Sequence, residues 1–113
     1  MRAAGLAALV LLAGACTDVE LGLIGATHPA RPAGCAVDLR PTERALPEGE
    51  FVDVAAGTVS CFGERQRCLE VVQAQACRVG ADVVYGFSES ASGGFTNIEA
   101  RYAARAANPS RSR

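Results

Sequence analysis

The chain has no lysine and no tryptophan, and its single histidine, His28, has no second imidazole to work with. Each absence removes a class of function. There is no Walker lysine, no Gly-rich phosphate loop, no G-x-S-x-G and no H-E-x-x-H. Ser90 and Ser92, just before Gly93 and Gly94, have no histidine nearby to act as a base. That stretch reads as a hairpin loop, not as a nucleophile or anion nest. The cysteines show no C-x-x-C, and the intervals Cys61-x6-Cys68-x8-Cys77 match no usual zinc spacing. Asp53, Glu64 and Glu70 are spread as solvated charges. The residues therefore predict no catalytic group, no metal and no cofactor: the chain is expected not to be an enzyme. Nucleic acid is an equally poor fit, because the formal charge is −1 and aromatics make up 5% of the chain.

Long apolar runs are also scarce, and the one that exists lies at the start. Met1-Arg2 is a short positive region, and Ala3 to Ala13 is Ala, Leu and Val apart from Gly5. It is too short to span a bilayer, which needs about 20 apolar residues. With the small residues Ala13-Gly14-Ala15 before Cys16, it reads as a secretion signal over residues 1–15. Losing Arg2 with it takes the formal charge from −1 to −2.

Ala13-Gly14-Ala15-Cys16 resembles the lipobox of bacterial lipoproteins, in which cleavage before the cysteine is followed by acylation of its sulfur and amino group. The lipobox prefers Leu where Ala13 stands, and Ala13-x-Ala15 also fits ordinary signal cleavage at the same bond. Cysteine parity separates the two. Five cysteines leave one unpaired in an oxidising compartment, whereas lipidation of Cys16 leaves an even set. The resemblance implies a membrane-anchored protein of the bacterial cell envelope, periplasmic or outer-membrane associated, attached through acyl chains on Cys16.

Residues 16–34 carry Gly22, Gly25, Pro29, Pro32 and Gly34 with no sustained period, and read as a tether with a solvated His28. The domain is expected over residues 35–106, with 107–113 as a frayed tail. Cys35 to Arg40 alternates, with Cys35, Val37 and Leu39 on one face, as in a short half-buried strand. Phe51 to Ser60 reads as a second strand. Val52 and Val54 share a face that Val59 does not, so a bulge is expected near Ala56-Gly57. Leu69, Val72, Ala76 and Val79 recur at helical spacing. Gly63 is a candidate N-cap with Glu64 in the first turn, and Gly80 is a candidate left-handed stop behind Arg78. Asp82 to Phe87 reads as an interior strand and Ser88 to Gly94 as a polar loop. In Phe95 to Arg105, Ile98, Ala100, Tyr102 and Ala104 face one way.

These elements predict an α+β fold: a small three- to four-stranded sheet with one helix on one face, in the order strand-strand-helix-strand-strand. About 70 residues make a marginal core, so two disulfides are expected to staple it. Elimination gives the pairing. Cys68 and Cys77 in one helix would lie about 13 Å apart, and Cys61 and Cys77 about 20 Å, at 1.5 Å per residue. A disulfide needs Cα atoms within about 7 Å. Cys61–Cys68 and Cys35–Cys77 remain. Against the second stands the position of Cys77, about 110° round the helix from the middle of the apolar stripe.

Gly57-Thr58-Val59, then a helix, then Ala76-x3-Gly80-Ala81-Asp82-Val83-Val84, resembles the small α/β domains of the RcsF and YbjQ-like group over residues 51–104. RcsF-type proteins are envelope lipoproteins that sense surface stress through protein contacts, and YbjQ-like domains are often labelled heavy-metal-binding. RcsF carries disulfide cysteines beyond the strand that follows the helix; this chain has none after Cys77. The resemblance implies a shared fold and leaves two function classes. One is an anchored interaction or sensor module whose partner is another envelope protein. The other is a small-ligand or metal-binding module on the same tether. A wide apolar pocket would favour the second; a filled core with an exposed sheet edge or patch would favour the first.

Overall fold

Alternation of apolar and polar residues, broken once by a helical period, produces five strands and one helix among the described residues. The computed structural model describes residues 17–106. They form β1 (Thr17–Leu23), β2 (Asp38–Arg40), β3 (Phe51–Phe62), α1 (Arg65–Val79), β4 (Val83–Ser92) and β5 (Phe95–Arg105). The sheet order is β1-β3-β5-β4-β2. All neighbours are antiparallel except β4 and β2, which run parallel. This is the expected α+β class with one more strand. Because β5 lies between β3 and β4, the strand–helix–strand unit spans a strand and its two strands do not pair.

The extra strand corrects the tether. Thr17 to Leu23 pairs with β3 over its whole length, from Thr17 opposite Cys61 to Leu23 opposite Ala55. Its side chains alternate between half-buried (Thr17, Val19, Leu21) and exposed (Asp18, Glu20, Gly22). The glycines and prolines that suggested a tether follow this alternation and end it. The signal segment 1–15, Cys16 and the tail 107–113 lie outside the described residues.

β3 places its bulge at Val54, not near Ala56-Gly57: the register with β5 shifts between Asp53 and Ala55. The extra residue puts Val54 and Ala55 together in the core beneath α1. Gly57 has a different role, close approach. A Cβ there would fall on the Glu20 carbonyl oxygen and 2.8 Å from the Leu21 Cα, so only glycine lets β1 lie alongside.

α1 starts one residue later than expected. Glu64, in extended conformation, occupies the N-cap and makes no side-chain cap bond, so no acid lies in the first turn. Gly63 is held elsewhere: its N–H donates to the Gly94 carbonyl at 3.0 Å, and Thr96 Oγ1 donates to its carbonyl at 2.8 Å. At the other end Gly80 takes φ 79° and caps the helix behind Arg78, as expected. The buried stripe is Cys68, Val72, Ala76 and Cys77. Leu69 and Val79 are only half-buried on its flanks, so the stripe is turned toward the two cysteines.

β5 is the centre of the core. Ile98, Ala100, Tyr102 and Ala104 pack beneath α1 with Val59 of β3 and Val84 and Phe87 of β4. The opposite face has its own small cluster, Val83, Tyr85 and Ala103 with Leu46 and Phe51. Two strand boundaries also need correcting. β2 pairs only from Asp38, because Cys35 is bonded to Cys77 and its N–H turns back to the Pro32 carbonyl. β4 continues through the expected polar loop to Ser92, past a bulge at Gly86 (φ 66°), and turns at Gly93-Gly94. Ser88 to Ser92 is exposed on both sides and so carries no apolar signal.

Candidate functional site

The expected disulfides both form. Cys35–Cys77 joins Cα atoms 6.0 Å apart and Cys61–Cys68 joins Cα atoms 5.3 Å apart. The angular objection to Cys77 is met by the path of residues 31–37. They run past the helix end, where the Arg31 N–H donates to the Cys77 carbonyl at 2.7 Å. Arg31 also donates to the Ala81 carbonyl at 2.7 Å and pairs with Asp82 at 3.1 Å. The chain therefore reaches Cys77 at the C-terminal end of the buried stripe, which is turned toward the cysteines. The two bridges are structural: Cys61, Cys68 and Cys77 are buried. Cys16, the expected lipidation site, is not among the described residues.

No cluster of three His, Cys, Asp or Glu side chains able to hold a metal ion occurs among the described residues. His28 lies beside Gly80, its Cβ 2.9 Å from where a glycine side chain would begin, and so packs against the helix end. The polar group on the far face is a closed set. Tyr85 donates to Asp53 at 2.7 Å and Arg101 pairs with Asp53 at 3.1 Å. Desolvation and the bond to Asp53 push the Tyr85 hydroxyl above its usual range. Nearby, the Arg40 and Arg105 guanidiniums lie 5.7 and 5.1 Å from the Phe51 ring centre. Inside the core, the Tyr102 hydroxyl is buried with no hydrogen-bond partner among the described residues, and desolvation holds its pKa far above the usual range.

The surface that remains is the outer side of β1. It is an edge strand, so one row of its N–H and C=O groups has no strand partner among the described residues. An open groove of about 680 Å³ runs between β1 and α1. Val19, Leu21 and Leu23 form one wall and Val79 and Arg78 another, with Val54 beneath. Leu23, Ile24 and Val52 are exposed at one end of this edge. The Ile24 N–H donates to the Val54 carbonyl at 2.9 Å, which gathers the three side chains around the start of β3. At the other end Phe62 is 56% exposed.

Sequence reasoning missed this edge. The signal was present in Thr17-Asp-Val-Glu-Leu-Gly-Leu23, a period-two pattern cut short by Gly25 and the prolines after it. Comparisons with protein-family models, curated proteins and solved structures find no match for the chain.

Proposed function

We propose that the chain is an exported lipoprotein, held in the bacterial cell envelope by acyl chains on Cys16, whose domain is a non-enzymatic interaction or sensor module. Its partner is another envelope protein. The observation that carries the reading is the β1 edge: a seven-residue strand whose outward row of backbone groups has no strand partner among the described residues, beside exposed Leu23, Ile24 and Val52. An edge of this kind recognises an extended segment by main-chain hydrogen bonds, with alternate side chains supplying specificity. Asp18 and Glu20 point away from the groove, so a basic segment is the complementary one. The anchor is tested by Cys16→Ser, which should move the protein from the membrane to the soluble fraction. A wild-type protein that is already soluble, with an unmodified Cys16, would show the anchor to be wrong.

The second reading, a small ligand, would use the open groove between β1 and α1, whose lining mixes Val19 and Leu21 with Thr17, Gln75 and Arg78. Leu21→Trp discriminates between the two. Filling the groove should abolish small-ligand binding and leave partner pairing along the outer edge intact.

A further inference from the structure

Cys16 is joined directly to Thr17, and Thr17 is already locked opposite Cys61 in the sheet. Consecutive Cα atoms are about 3.8 Å apart. An acylated Cys16 would therefore sit at the end of the sheet with no spacer, and the bilayer would meet whatever that end presents. Resting on the lipoprotein reading above, the geometry points to the Phe62 end of the sheet as a lipid-contact surface, with the Phe62 ring seated in the membrane interface.

Three features support this. Phe62 follows Cys61 directly and is an exposed residue. It is also held in place: it packs edge-on against Phe95 at 5.4 Å, and the Gly93-Gly94 turn lies under it, a Cβ at Gly94 coming within 3.0 Å of the ring. The acyl chains on Cys16 supply the attachment, and a rigid apolar side chain at the same end of the sheet adds an interfacial contact that fixes how the domain sits on the bilayer. Third, the other exposed apolar side chains are far away. Leu23 lies six residues along β1 from Thr17, about 20 Å at strand spacing. Leu23, Ile24 and Val52 would then point away from the bilayer, toward a protein partner. The contact is apolar, not electrostatic. Asp18, Glu20 and Glu64 are exposed near this end, and Arg65 is engaged by Glu89 at 2.6 Å.

The chain has no tryptophan, so a single introduced one reports without background. Full-length Phe62→Trp and Val52→Trp are made in a bacterial host and purified from membranes. Each is reconstituted in phosphatidylethanolamine–phosphatidylcholine vesicles, with and without lipids brominated high on the acyl chains. The mass of the Cys16 peptide is read on the same sample. Emission from Phe62→Trp should shift to the blue and lose most of its intensity to brominated lipid, while that from Val52→Trp stays unchanged. High salt should alter neither. Phe95→Trp, half-buried behind Phe62, should be quenched less and serves if Phe62→Trp does not fold. An acylated protein whose Phe62→Trp and Phe95→Trp emission is unquenched, or whose Val52→Trp emission is quenched as strongly, overturns the contact surface and leaves the anchor standing. An unmodified Cys16 overturns both.

Discussion

β1 and β2 are both edge strands, yet they are built on opposite plans. β2 is three residues long, parallel to β4, and closed in. Cys35, three residues before it, is bonded to Cys77, and Arg40 at its end pairs with Asp38 at 2.8 Å. The connection after it returns to the sheet: Phe87 N–H donates to the Pro41 carbonyl at 3.1 Å and Arg44 donates to the Phe87 carbonyl at 2.8 Å. β1 is seven residues long, antiparallel to β3, and no disulfide joins it to the domain. Short, covered edges resist pairing with other chains, and long open ones invite it. Cys35–Cys77 pins the chain beside β2 to the helix, whereas Cys61–Cys68 ties β3, the neighbour of β1, to α1 and leaves β1 itself unbridged.

The strongest way to break the comparison is to remove the core that both edges share. Val72 is buried at the centre of the α1 stripe. Val72→Asp would place an unpaired charge there, at a cost of several kcal/mol, about the whole stability of a domain this size. Circular dichroism should show loss of cooperative unfolding. A folded, cooperative variant would mean that the wrong helix face has been placed inward.

Next in size is the staple on the closed side. Cys35–Cys77 spans 42 residues and Cys61–Cys68 spans 7. In the chain-entropy model the long loop is worth about 4 kcal/mol and the short one about 2.5 kcal/mol. Cys35→Ala and Cys77→Ala should therefore lower the denaturation midpoint more than Cys61→Ala and Cys68→Ala. The two members of each pair should match. Non-reducing peptide maps that join Cys35 to Cys61 or Cys68 would contradict the pairing.

Gly57→Ala sharpens the comparison by acting on one edge alone. The added methyl collides with the β1 backbone at Glu20, so β1 should detach at a cost of about 1–3 kcal/mol. Hydrogen exchange should show β1 amides losing protection while the amides shared by β2 and β4 keep theirs. Equal loss at both edges would show that β1 is part of the core cooperative unit.

Much of this could be read in the sequence, and the reasons are physical. β5 was legible because Ile98, Ala100, Tyr102 and Ala104 alternate against a core beneath α1. α1 was legible from its spacing and from Gly80. The disulfides followed from helix length alone. The second half of β4 was not legible, because its residues are exposed on both faces and only backbone pairing with β5 holds them. β1 was obscured by its neighbours, and the position of its partner depends on Gly57, whose role appears only when two backbones meet. The groove and the exposed Leu23, Ile24 and Val52 could not be placed together until that strand was docked.

Tyr102→Phe is expected to be a smaller effect and of opposite sign. The hydroxyl is buried and unpartnered, so removing it should leave stability unchanged or raise it by about 1 kcal/mol. A clear loss of stability would indicate an internal water or polar partner at that oxygen.

The smallest effect concerns the exposed pair Arg65–Glu89, which should contribute under about 1 kcal/mol. The hydrogen bond from Arg65 lowers the Glu89 pKa. Its contribution is therefore present above the ordinary carboxylate range and lost as pH falls through the lowered value. Glu89→Gln should remove that part of the acid dependence in denaturant titrations and leave the neutral-pH fold intact.

The central claim, that β1 is the edge on which this domain works, is tested most directly by photocrosslinking in intact cells. A crosslinking residue replaces Glu20 on β1 or Asp38 on β2, two exposed acids on opposite edges. The account predicts a discrete envelope-protein adduct from position 20 that Gly57→Ala abolishes, and none from position 38. An adduct from position 38 with none from position 20, or equal adducts from both, would contradict it.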